Sequence, residues 1–108
     1  MYGRMPNKSE RNLNPYLQQK ILTASPEQLV AYTYDIAITA CAQANAIKAT
    51  EAIHVLVKSL RLDHKEIAGT FYRIYNIILS KIHRKQYEEA RQLLLELRTT
   101  WAQAMRVS

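Results

Sequence analysis

The side chains of this chain that could do chemistry are three histidines, one cysteine and nine carboxylates. A zinc-protease helix carries two histidines one turn apart beside a glutamate, and a structural zinc site takes a set of thiolates. His54, His64 and His83 fall on three separate segments, and no His-Glu-x-x-His run occurs. A single cysteine excludes an internal disulfide and a cysteine-based zinc site. Cys41 lies among small residues and reads as a small buried hydrophobe. Glu27, Asp63 and Glu66 stand where helices should begin, which gives those carboxylates a capping role. No catalytic constellation assembles. The expectation is a protein that is not an enzyme and needs neither cofactor nor metal.

Binding chemistry is better represented. Seven tyrosines against one phenylalanine is an unusual ratio. A tyrosine has an apolar ring and a polar tip, which suits half-buried and interface positions. Tyr16, Tyr32, Tyr34, Tyr72, Tyr75 and Tyr87 lie in or near expected helices, consistent with a surface that accepts a partner helix. The charge is +6 with a pI near 9.6, which can favour nucleic acid, anionic membranes or acidic proteins. The basic residues are scattered, and Lys81, Arg84 and Lys85 with His83 form the densest group. Specific nucleic-acid binding is therefore not expected.

Elements to position these residues must be helical. The 108 residues, 12.5 kDa, contain only two glycines and three prolines, too few for the turns of an all-β fold. No glycine-rich phosphate loop occurs, and no apolar run approaches the roughly 20 residues that cross a membrane. The N-terminus lacks the apolar core of a signal peptide, so a cytoplasmic location is expected. Residues 1–15 mix breakers and charge with few apolar side chains and read as a flexible tail. Residues 16–108 read as one helical domain.

Thr23-Ala24-Ser25-Pro26-Glu27-Gln28 is the strongest local signal. Ser25 is a good N-cap, Pro26 suits the first helical position, and Gln28 completes a capping box. Leu29, Val30, Tyr34, Ile36, Ala37, Ala40, Cys41 and Ala44 then form a wide apolar stripe at helical spacing. Asn45 offers the next turn. A second helix to about Leu60 turns Ile47, Ala49, Ile53, Leu56, Val57 and Leu60 inward. Asp63-His64-Lys65-Glu66 caps a third, with Ile67, Phe71, Ile74, Tyr75, Ile78, Leu79 and Ile82 on its inner face. After His83-Arg84-Lys85-Gln86, a fourth shows Tyr87, Ala90, Leu94, Leu97, Trp101 and Ala104 as a heptad seam. The expected fold is all-α: an antiparallel four-helix bundle, up-down-up-down, with a flexible N-terminal segment.

The stretch from Tyr16 to Val30, holding Thr23-Ala24-Ser25-Pro26-Glu27, and then Tyr34-Asp35, resembles the start of the flagellar secretion chaperone FliS family. The second half agrees, through Ser59-Leu60-Arg61-Leu62-Asp63, Glu66-Ile67-Ala68 and Ile74-Tyr75-Asn76. It closes on Leu93-Leu94-Leu95-Glu96-Leu97-Arg98-Thr99-Thr100-Trp101. The resemblance spans roughly residues 14–105. It implies a cytosolic helical bundle that binds the disordered C-terminal segment of flagellin in hydrophobic grooves. Such a chaperone prevents premature polymerisation and assists delivery to the flagellar export apparatus. That apparatus and flagellar regulatory proteins are the further partners such a role would offer. The resemblance also implies that the N-terminal stretch covers part of the groove when the client is absent. Tyr16, Ile21 and Leu22 would form that cap or its hinge, and with Leu29 and Tyr34 they are the expected client-binding residues.

Three departures from the family pattern stand out. The connections between helices 1 and 2 and between helices 3 and 4 both look shortened, and in an up-down-up-down bundle they share one end. Ile36 follows Tyr34-Asp35 where the family has a small residue. The charge is basic, whereas chaperones of this kind are often acidic, which would make client binding more salt-sensitive. Three alternatives remain open. Helices 1 and 2, and likewise 3 and 4, could fuse into two long helices that pair as a dimer. The bundle could serve as a regulatory or structural interaction module with another partner. It could also be a basic nucleic-acid binder, marked by steep salt dependence.

Overall fold

A computed structural model describes residues 15, 19, 23–60 and 65–107. Among them are four α-helices, α1 (Pro26–Ala42), α2 (Ala46–Lys58), α3 (Lys65–His83) and α4 (Tyr87–Met105), and no strand. The expected tail, Pro15 apart, and the Asp63-His64 cap lie outside the described residues. Around the ring α1 packs on α2 and α4, and α3 packs on the same two. With few residues between sequential helices, this is the expected up-down-up-down bundle.

Local chemistry sets the helix ends. Ser25 Oγ accepts from the Gln28 N–H at 3.1 Å, Pro26 fills the first helical position and Glu27 lies in the first turn. Asn45 Oδ1 accepts from the Lys48 N–H at 3.1 Å, so Asn45 opens α2 rather than closing α1. The turns after α1 and α3 are built alike. Ala44 and Lys85 are left-handed, with φ of 53° and 61°. The N–H groups of Asn45 and Gln86 reach back to the Ala40 and Lys81 carbonyls, each at 2.8 Å. Those of Ala44 and Lys85 reach Cys41 and Ile82, each at 3.0 Å. This double bond pattern ends a helix within three residues, here without the usual glycine. The helices are therefore separate, and the fused two-helix alternative does not hold.

The likeness extends beyond the turns. Tyr34, Ala37 and Cys41 of α1 are buried, and so are Tyr75, Ile78 and Ile82, each 41 residues on in α3. Ala49, Ile53 and Leu56 of α2 correspond at the same offset to Ala90, Leu94 and Leu97 of α4, all buried. Tyr34-Asp-Ile-Ala-Ile-Thr39 answers to Tyr75-Asn-Ile-Ile-Leu-Ser80. The bundle is thus two helical hairpins related by an approximate two-fold axis along its length. Tyr34 and Tyr75 meet across the diagonal, their hydroxyl oxygens 2.6 Å apart and their rings tilted by 51°.

The two halves differ in bulk. Each keeps a buried tyrosine, Tyr34 or Tyr75, but helix α1 turns Ala37 and Cys41 inward where α3 offers Ile78 and Ile82, and Val30 where α3 has Phe71. Small residues let helix axes approach, and large ones hold them apart. Accordingly α1 meets its neighbours extensively, while α3 touches the same neighbours less and is flanked by clefts.

Several residues expected inside are outside. Ile36 is 45% exposed because it lies two residues from Tyr34, on the far side of the helix. Ile47, Ile67 and Leu29 are exposed in the first turns of their helices, where less of the neighbouring helices covers them. Ala44 occupies the turn, and Ala104 lies on the exposed last turn of α4. Ala31 and Ala52, absent from the expected stripes, belong to the core.

Candidate functional site

Among the described residues no catalytic group of side chains converges. Cys41 is buried, and that burial pushes its thiol pKa up, outweighing the nearby Arg91 guanidinium. It is held as a neutral thiol, the unreactive form. His54 and His83 are exposed, on α2 and α3, and His64 lies outside the described residues. Glu51 to His54 forms a Glu-x-x-His run, the spacing used in pairs by di-iron bundles. Both side chains are exposed, and among the described residues no group of three potential ligands comes together.

The end of the bundle opposite the two left-handed turns is built differently. There the last turn of α2, the first turns of α1 and α3 and the last turns of α4 leave two adjoining apolar clefts. One, of about 240 Å³, runs between Leu60, Ile67, Ala68 and Phe71. The other, of about 570 Å³, runs between Pro26, Leu29, Thr33 and Val55. Val30, Ser59, Trp101 and Met105 line both, so the two form one trough. Trp101 Nε1 donates to the Glu27 carbonyl at 2.9 Å, which fixes the indole as the trough's floor. The small Ala68 lines the first cleft between Ile67 and Phe71. Leu29 (39%), Val55 (52%), Ile67 (59%) and Met105 (42%) expose apolar surface along it. A contiguous apolar depression of this kind is a candidate site of association.

The residues expected to bind fall in three places. Leu29 lies on the trough rim. Tyr34 is fully buried, and its hydroxyl is taken up by Tyr75, so it supports the bundle and offers no surface. Tyr16, Ile21 and Leu22 lie outside the described residues. The neighbouring Asp35 is likewise architectural: Arg98 donates to its carboxylate through Nε at 3.0 Å and Nη2 at 3.2 Å, clamping α1 to α4. Val55 and Met105 were not expected at the site, and Ile67 and Trp101 were expected only as core. Met105 could have been placed from its spacing, four residues after Trp101 on the same helix face.

No family model, no curated protein and no solved structure matches the chain. Among the described residues no helix is long and apolar enough to cross a membrane. The chain is a four-helix bundle with an apolar trough at one end.

Proposed function

We propose that this chain is a cytoplasmic export chaperone of the FliS kind, which binds the disordered C-terminal segment of flagellin. It keeps that segment from polymerising and delivers it to the flagellar export apparatus. The observation that carries the reading is the apolar trough, with Leu29, Ile67 and Met105 exposed around the fixed ring of Trp101. An unfolded amphipathic segment gains enough from burying its apolar face there to offset part of its ordering entropy. The ordered run of motifs from Thr23-Ala24-Ser25-Pro26-Glu27 to Trp101 supports the same reading. The mechanism is non-covalent, with no turnover and no cofactor.

Isothermal titration with the C-terminal flagellin segment from the same genome, at two salt concentrations, tests it. The expected result is 1:1 binding with a negative heat-capacity change, the mark of apolar burial coupled to folding. Absence of binding at both salts would remove the function and leave the bundle standing.

A further inference from the structure

The near-symmetry of the two hairpins exposes a second site, at the other end of the molecule from the trough. At the 41-residue offset, Tyr87, Arg91 and Leu95 of α4 correspond to Ala46, Thr50 and His54 of α2. The smaller α2 residues leave a groove of about 520 Å³ between α2 and α3. Ala46, Leu79, Ile82 and Tyr87 supply its apolar surface. Beside it, Ile47 is 75% exposed, on the same stripe of α2 as Thr50 and His54.

One polar group of this groove carries a fixed charge, the cation of Lys85. His54, His83 and Lys85 line it together with the hydroxyls of Thr50 and Ser80, and among the described residues no carboxylate does. Lys58 continues the row of Thr50 and His54 along α2 at four-residue spacing. The carboxylates near Lys85 are engaged: Glu88 pairs with Arg91 at 2.7 Å and Glu89 with Lys81 at 3.0 Å. Glu51 stands outside the lining, about 60° from His54 and about 20° from Lys58 round α2, so it balances Lys58 and leaves Lys85 as the positive charge of the groove itself. The floor thus asks for apolar side chains, and the rim asks for carboxylates.

We infer that the α2–α3 face docks an acidic amphipathic helix of a partner protein. A helix laid there inserts its apolar stripe against Leu79, Ile47 and Tyr87 and sets carboxylates against Lys85, His54 and His83. The chain's own first fourteen residues are a poor occupant, carrying Arg4, Lys8 and Arg11 against Glu10. A second copy, at a net charge of +6, is opposed by the same electrostatics. The site is separate from the trough and does not rest on the flagellin reading.

The probe is a synthetic peptide of about 15 residues, long enough to hold a helix, with leucine on one face and glutamate on the others. A leucine–lysine peptide of the same pattern is its control. Titration into the full chain, followed by backbone amide NMR, should shift Thr50, His54, Leu79 and His83 and saturate at 1:1. Filling the groove with the α4 residues, as Ala46→Tyr with His54→Leu, should weaken binding by about tenfold or more. Lys85→Asn, which suits the left-handed turn and leaves the core untouched, should weaken it about two- to fivefold. Leu29→Glu, in the trough, should leave it unchanged. The inference is overturned by equal binding of the lysine peptide, by shifts that map to the trough, or by tighter binding of duplex nucleic acid at these residues. Concentration-dependent shifts here without peptide would overturn it too, since a second copy would then be the occupant.

Discussion

Replacing Tyr34 by phenylalanine removes one oxygen from the centre of the bundle, and the structure fixes what that costs. Tyr34 is 0% exposed and Tyr75 2%, and their hydroxyls are 2.6 Å apart. Each is the other's hydrogen-bond partner across the diagonal. In Tyr34→Phe the Tyr75 hydroxyl stays buried and loses that partner, at a cost of about 1–3 kcal/mol. Tyr75→Phe strands Tyr34 in the same way. In the double variant both polar groups are gone while both rings remain, so the loss should be near zero or a small gain. Each kcal/mol is worth roughly 4–8 °C in Tm for a domain of this size. Urea or thermal unfolding of the four proteins gives the double-mutant cycle. Each single variant should fall by at least about 4 °C, and the double should recover most of it. If the double variant loses the sum of the two singles, the hydroxyls are not each other's partners and the diagonal contact is wrongly described.

Alkali should act on the same pair. Burial pushes Tyr34 well above its ordinary 10.0, with the neighbouring Tyr75 adding to it, and burial also raises Tyr75. The unfolded chain releases these protons near pH 10 while the folded chain keeps them, so stability is full below that pH and falls as pH rises beyond it. Unfolding midpoints between pH 8 and 11 should show that fall, and the double phenylalanine variant should flatten it. Ala44→Gly and Lys85→Gly relieve left-handed backbone at φ of 53° and 61°. Each should stabilise by about 0.5–1 kcal/mol in chemical denaturation, since the steric relief exceeds the added unfolded-state entropy. Gly69→Ala, in a helix with open space around it, should raise Tm through helix propensity of about 1 kcal/mol. Ser25→Ala should lower stability by roughly 1 kcal/mol, and unchanged unfolding would deny the cap.

The sequence announced the architecture because its signals are local. Ser25-Pro26 and the seams through Ile78 and Leu94 are set by hydrogen bonding and periodicity within a single helix. The turn at Ala44 was harder to read, because no glycine marks it and the left-handed residue is stabilised only by backbone bonds to Ala40 and Cys41. Alanines hid the close approach of α1, since Ala31 and Ala37 carry little hydrophobic pattern but decide how near helices come. The 41-residue correspondence was obscured because only a few positions, such as Tyr34 with Tyr75 and Leu56 with Leu97, keep the same residue. The trough was legible only in part. Leu29 could be named, but Ile67, Trp101 and Met105 have the spacing of core residues. What leaves Ile67 and Met105 exposed is where the neighbouring helices end, a tertiary fact.

Trp101 makes the central claim directly measurable. It is the chain's one tryptophan and it floors the trough. Its emission, recorded while a tryptophan-free C-terminal flagellin segment is titrated in, reports whether a client enters there. The account predicts a saturable blue shift at 1:1 stoichiometry, as client side chains displace water from the indole, and its loss in Leu29→Glu. Binding detected by calorimetry with an unmoved Trp101 spectrum would contradict it, because the client would then lie elsewhere on the bundle.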